Sequence, residues 1–166
     1  MIWHFIMEGG RPRPPRSRRA LLASVGLKPV HVRKDIPGFI GNRLQHALKR
    51  EAIALVADGV CDAETIDDVV KNGFGARMSV LGPMEQSDLV GLDLTLAIHE
   101  TLIQHLDRTT GPHPFLRSKI AQGKLGMKTG EGFRRWTPQQ ADEVRQRLSR
   151  FLADQAKARK QTCKPS

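Results

Sequence analysis

Apolar residues recur at helical spacing through most of this chain. Between Gly38 and Asp58, the residues Ile40, Leu44, Ala47, Leu48, Leu55 and Val56 keep the helical period, which predicts one long amphipathic helix ended by Gly59. Asp62 stands where it would cap a second helix, Ala63 to Asn72, stopped by Gly73. Gly82-Pro83 opens a third, with proline at an early helical position where its missing N–H costs little, and Gly91 breaks it. Leu92 to Leu106 predicts a fourth helix and Pro114 to Ala121 a short fifth. Thr137-Pro138-Gln139-Gln140 reads as a capping box that launches a last helix through Val144, Leu148, Phe151 and Leu152. No repeat of fixed period runs through these segments. The middle of the chain therefore predicts an all-helical bundle with short connections.

The first residues follow a different pattern. Ser17 to Val25 predicts a short helix with Leu21, Leu22 and Val25 on one side and Gly26 as its stop. Lys28 to Arg33 alternates and predicts a strand, with no other strong strand in the chain to pair with it. A helix followed by a strand is an α/β fragment, the trailing edge of a different domain. Glu8 to Arg16 is rich in proline and tandem glycine, so no regular helix or central strand is expected there. Residues 1–19 are read as a disordered basic arm, with a polyanion-binding tail as the alternative.

Composition sharpens this division. The 166 residues suit one ordinary globular domain with a core of Leu, Val, Ile and Ala. The net charge is +10, but residues 35–150 hold 15 basic and 15 acidic side chains. Residues 1–34 carry eight Lys/Arg against one Glu, and residues 151–166 carry four against one Asp. A balanced middle argues against a nucleic-acid-binding face. The two cysteines, Cys61 and Cys163, form no metal or disulfide pattern, so a reducing, cytoplasmic setting is expected. No apolar run reaches the roughly 18–20 residues of a membrane span, and the opening seven residues lack the charged start of a secretory signal.

Several familiar chemistries do not fit. Gly73-Phe74-Gly75-Ala76-Arg77-Met78 misses the third glycine of a dinucleotide fingerprint and follows a helix. Gly123 to Thr129 has the wrong glycine spacing for a phosphate loop. His99-Glu100 has no second histidine at zinc-protease spacing, and His46, His99 and His105 are read as surface or capping residues. A helix-turn-helix around Gly73 would place Met84 and Glu85 where base-reading side chains belong. Two features remain. Asn42 is polar near the start of the long apolar helix, either facing solvent or bonded locally, or offering a neutral hydrogen bond to a substrate oxygen or a catalytic imidazole. Gly126-Met127-Lys128-Thr129-Gly130-Glu131-Gly132-Phe133 is either a structural turn or a loop that brings backbone and one lysine close to a ligand.

Four segments together resemble a known family. Pro37-Gly38-Phe39-Ile40-Gly41-Asn42-Arg43-Leu44-Gln45, Gly82-Pro83-Met84-Glu85, Asp88-Leu89-Val90-Gly91-Leu92-Asp93 and Lys128-Thr129-Gly130-Glu131-Gly132-Phe133 occur in the order found in the C-terminal domain of 3-hydroxyacyl-CoA dehydrogenases, including the lambda-crystallin-like, gulonate dehydrogenase branch. Residues 19–33 are similar to the last helix and strand of that family's Rossmann domain. The resemblance implies a mainly α fold, a helical bundle like the C-terminal domain of 6-phosphogluconate dehydrogenase, preceded by a remnant of a truncated Rossmann domain. It implies residues 1–34 as arm and Rossmann remnant, 35–160 as helical substrate and dimerisation domain, and 161–166 as tail. It implies NAD-dependent oxidation of a 3-hydroxyl to a 3-keto group, on an acyl-CoA in fatty acid metabolism or on a free hydroxy acid.

The family's proton-transferring His–Glu pair belongs to the Rossmann domain, and His4-Phe5 and Glu8 do not reproduce its context. The helical domain's supporting Asn matches Asn42, its cofactor-side lysine matches Lys128, and Pro83 and Met84 fall near the acyl end of the substrate site. A homodimer through the helical domain, or a separate Rossmann-domain partner, is implied. No metal, membrane or nucleic acid is expected. NAD binding and activity are not expected of this chain alone, and a non-catalytic interaction module is the alternative. The family's usual Gly-Phe-Tyr ending is here Gly132-Phe133-Arg134.

Overall fold

The structure, a computed structural model, describes residues 5–7, 16–24 and 29–162. It divides into two compact units, Met1–Gln45 with Thr137–Ser166, and His46–Trp136. The fold is mainly α, and among the described residues no helix is long and apolar enough to cross a membrane.

In the first unit, strand β1 (Phe5–Met7), helix α1 (Arg16–Ser24) and strand β2 (Val30–Val32) follow in order. The strands run parallel, with Phe5 opposite Val30, Ile6 opposite His31 and Met7 opposite Val32. This corrects the expectation that the second strand has no local partner. The apolar run Phe5-Ile6-Met7 supplies one, and α1 lies in the crossover that a parallel pair requires. The basic arm expected over residues 1–19 falls outside the described residues apart from β1 and the start of α1, as does the Gly26 stop.

Helix α2 (Phe39–Ala57) ends as its sequence predicts. Gly59 takes φ +72 and donates to Val56 O at 3.2 Å, while Val60 N–H reaches back to Leu55 O at 3.0 Å. These crossed bonds satisfy carbonyls that the helix end would leave bare. Helix α8 (Pro138–Thr162) starts on a complete capping box. Thr137 N–H donates to the Gln140 side chain at 2.9 Å, and Gln140 N–H donates to the Thr137 hydroxyl at 3.2 Å.

The second unit carries the remaining helices: α3 (Ala63–Asn72), α4 (Phe74–Arg77), α5 (Pro83–Val90), α6 (Leu92–Leu102) and α7 (Pro114–Ala121). Asp62 caps α3 by accepting from Thr65 N–H at 2.7 Å, and Glu85 reaches back to Gly82 N–H at 2.9 Å ahead of α5. Two details differ from expectation. Gly73 stops α3 but is followed at once by α4, a four-residue turn. A Cβ on Gly73 would meet Val69 O at 2.4 Å, and one on Gly75 would meet Val70 O at 2.3 Å, so only glycines let the chain double back this tightly. The helix expected to reach Leu106 instead tightens into a 3₁₀ turn over Ile103–His105. Beyond it, Asp107 N–H is captured by Glu51 of α2 at 2.7 Å, drawing the chain away from the helix axis.

The expected core of Leu, Val, Ile and Ala holds for alanine and is corrected for the larger residues. Among the described residues the only buried apolar side chains are Ala54 and Ala141. The principal helix contacts join sequence neighbours, α3 with α4 and α5 with α6, so each helix covers little of the next. Helix α6 is the extreme case, because Leu92, Leu94, Leu96, Ile98 and Leu102 are all at least 47% exposed. Gly59→Ala is expected to destabilise the protein by about 1 kcal/mol, the cost of holding a Cβ in the left-handed region. Chemical denaturation of the two proteins measures this, and an unchanged midpoint would contradict the role given to Gly59.

Candidate functional site

The chain enters α2 through two successive left-handed residues, Gly38 at φ +80 and Phe39 at φ +48. Phe39 is the only non-glycine residue with positive φ among those described, a conformation that L-residues adopt at a cost. Its N–H donates to Ile36 O at 3.1 Å, closing the turn. This entry places Asn42 in the first turn of α2, where its side chain is exposed and makes no hydrogen bond among the described residues. Both its amide N–H₂ and its carbonyl are available.

The glycine-rich loop is a built structure rather than a slack connection. Gly126 N–H donates to Glu131 O at 2.8 Å, Gly132 N–H to Arg134 O at 2.8 Å, and Trp136 N–H to Gly130 O at 2.8 Å. The Thr129 hydroxyl sits in the middle, accepting from Leu125 N–H at 2.9 Å and lying 3.2 Å from Gly126 O and 3.1 Å from Glu131 O. Gly132 is required by close approach, since a Cβ there would lie 2.7 Å from Gly126 Cα. Lys124 clamps the loop by an ion pair with Glu131 at 2.8 Å. Lys128 projects from this frame, exposed and with no ion pair among the described residues. Such a lysine on a rigid loop suits contact with a phosphate or a carboxamide.

Arg134 stands where the resemblance expects tyrosine, and it ties the loop to α3. Its guanidinium pairs with Glu64 at 2.8 Å and Asp67 at 3.1 Å, and lies 4.7 Å from the centre of the Trp136 ring. Pro83 and Met84 begin α5 and are both exposed. The structure places Lys128, Pro83 and Met84 in the His46–Trp136 unit and Asn42 in the other.

Sequence reasoning missed a cavity of about 1030 Å³ wholly within the second unit. It lies among α2, α3, α7 and the glycine-rich loop, and none of the four residues above lines it. The signal was present in the spacing of His46, Lys49, Arg50, Ile53 and Val56, which share one face of α2. Beside it, Asp107 is held below the usual carboxylate range, first by the Thr109 hydroxyl at 2.6 Å. Glu131 is held low first by its hydrogen bond to Lys124, and Asp62 first by the Thr65 N–H.

Residues 38–136 match the profile described as 3-hydroxyacyl-CoA dehydrogenase, C-terminal domain. This chain belongs to that family. Within it, the chain is 38% identical over 152 residues to 5-formyl-3-hydroxy-2-methylpyridine 4-carboxylate 5-dehydrogenase of Mesorhizobium japonicum, covering 92% of this chain and 49% of that protein. It is 44% identical over 100 residues to a probable 3-hydroxybutyryl-CoA dehydrogenase of Deinococcus radiodurans, covering 60% of this chain and 35% of the relative. It is 40% identical over 107 residues to L-carnitine dehydrogenase of Pseudomonas syringae, covering 63% and 31%. A crystal structure described as the 5-dehydrogenase of 5-formyl-3-hydroxy-2-methylpyridine 4-carboxylic acid, an NAD⁺-dependent dismutase, superimposes with a TM-score of 0.79 at 37% identity. That match covers 87% of this chain and 47% of the other. The chain thus spans half or less of the length of these relatives.

The three depressed carboxylates favour the folded state above the ordinary carboxylate range. A group whose folded pKa lies below its unfolded value adds stability above the unfolded value, about 4 for a carboxylate, and that stability is lost as pH falls through the folded value. The urea midpoint is therefore expected to hold down to about pH 4 and to drop below it. Thr109→Val returns Asp107 toward its ordinary value, which lowers the midpoint above pH 4 and makes the fall below it shallower. Superimposable acid limbs for the two proteins would refute the assignment.

Proposed function

We propose that this chain is the helical part of an NAD-dependent dehydrogenase that oxidises a hydroxyl to a carbonyl on an acyl-CoA thioester or a free hydroxy acid. The observation that carries the reading is that one family profile spans Asn42, Pro83, Met84 and Lys128 together. In this reading the Asn42 amide donates a hydrogen bond to the reacting oxygen and holds it as charge develops, without adding charge of its own. Lys128, fixed by the Thr129-centred loop, faces the cofactor, and exposed Pro83 and Met84 border the acyl group. An exposed, unpaired lysine on a frame braced by three backbone bonds fits that task. The chemistry supplied by bound NAD is hydride acceptance.

No G-x-G-x-x-G occurs in the 166 residues, and a nucleotide pyrophosphate is held by such a turn and the helix start behind it. The full chain alone is therefore expected to produce no NADH from NAD⁺ with 3-hydroxybutyryl-CoA or L-carnitine. Adding a relative's nucleotide-binding domain is expected to restore turnover, and Asn42→Ala to lower it by about a hundredfold. NADH formation by the chain alone, well above blank, would sink the proposal.

A second reading, an interaction module that pairs with another copy of this chain, is favoured by α6. Helix α6 carries Leu92, Leu94, Leu96, Ile98 and Leu102, large apolar side chains that a helix ordinarily packs against a neighbour, and all five are exposed. A homodimer covering α6 removes that surface from water. Sedimentation is expected to give a dimer that Leu96→Glu converts to a folded monomer. A monomeric parent chain at micromolar concentration would count against it.

A further inference from the structure

The cavity of the His46–Trp136 unit is lined by both charged and apolar side chains. Along one face of α2 the lining passes from His46, Lys49 and Arg50 to Ile53 and Val56, and Asp67 and Arg134 also line it. The axial distance from residue 46 to residue 56 is about 15 Å. Ile66 of α3, Leu116 of α7, Phe133 and Trp136 complete the apolar walls.

The charges within it are not balanced. Asp67, its one acidic residue, is already engaged by Arg134 at 3.1 Å and by Lys71 at 3.7 Å. Arg50 is engaged by Asp107 at 3.5 Å, the carboxylate whose other neighbours are Thr109 and His113. Lys49 has no ion pair among the described residues, so its ammonium is the uncompensated charge of the groove. Apolar walls beside one free cation match a ligand with an apolar body and a single anionic head.

We infer that this groove binds an amphiphilic carboxylate, an apolar chain whose carboxylate pairs with Lys49. A volume of about 1030 Å³ is of small-molecule size and admits a chain of medium length. A neutral chain would leave Lys49 unused, and a cationic one would meet it unfavourably. Asn42, Pro83, Met84 and Lys128 do not line the groove and neither does any residue of α5 or α6, although Gly126 and Met127 of the loop that carries Lys128 do. The inference stands or falls independently of the dehydrogenase reading.

Trp136 lines the groove and is one of two tryptophans in the chain, the other being Trp3. Replacing Trp3 by Phe in the full chain leaves Trp136 as the reporter. Decanoate, kept below its micelle concentration, is expected to shift the Trp136 emission saturably and to bind about fivefold more tightly than decanol, the advantage of one partly exposed ion pair. Lys49→Gln is expected to bring decanoate and decanol to equal affinity while decanol binding stays unchanged. Ala63→Phe, which fills the wall, is expected to abolish both while the circular dichroism spectrum is retained. Equal affinity for the two ligands in the parent protein, or an undiminished preference in Lys49→Gln, would overturn the inference. So would Trp136 emission that shifts with protein concentration alone and tracks a dimer dissociated by Ala63→Phe, because a second copy would then be the occupant.

Discussion

Uncovered apolar surface governs how this chain is held together. A helical bundle ordinarily draws most of its stability from packing one apolar face against another, because helix propensity alone is marginal at these lengths. Here the principal contacts join neighbours in sequence, and among the described residues the buried apolar side chains are Ala54 and Ala141. Large residues along α5 and α6, Met84, Leu89, Leu92 and Leu96 among them, remain in solvent. At roughly 25 cal/mol per Å² of apolar area, covering a few such side chains is worth several kcal/mol, comparable with a domain's whole net stability. Any protein that covers α6 therefore acts on folding as well as on assembly.

With so little packing, the helix ends depend on bonds made within a few residues. The crossed pair at Gly59, the Asp62 cap on Thr65, the Glu85 reach to Gly82 and the reciprocal Thr137–Gln140 box each satisfy backbone groups locally. Local devices are readable in sequence because the residues that make them are adjacent. That is why the limits of α3 and α7 coincide with those expected, and why α2, α5 and α8 begin or end at the predicted glycines and prolines. The four family segments were legible for the same reason. Each is a short string that contains at least one glycine, and some of those glycines have a definite backbone task, such as the left-handed turn at Gly38.

What escaped the sequence depends on distance along the chain. The partner of β2 is three residues of β1 lying beyond a proline-rich stretch, too short for alternation to be visible. The 3₁₀ ending of α6 is followed by a bond between Asp107 and Glu51, 56 positions apart. The groove joins α2 to a loop some 60 to 90 residues later, and no local pattern announces it. The missing aliphatic core shows the limit of composition most directly. Counting Leu, Val and Ile establishes that there is surface to bury, but says nothing about which surface covers it.

Asn42 joins the constraint of uncovered surface to the proposed chemistry. While the first turn of α2 is open to water, an unbonded Asn amide costs almost nothing, because solvent supplies its partners. If a nucleotide-binding domain or a substrate covers that turn, the same amide loses water, and leaving it unpaired costs on the order of 1–3 kcal/mol. A covering domain without a hydrogen-bonding group opposite Asn42 is therefore disfavoured, and so is a substrate that lacks an oxygen there. Alanine at that position would remove the penalty and the selectivity together. The proposed role of Asn42 thus includes discrimination: it makes closure over the site favourable only when an oxygen is present to be held.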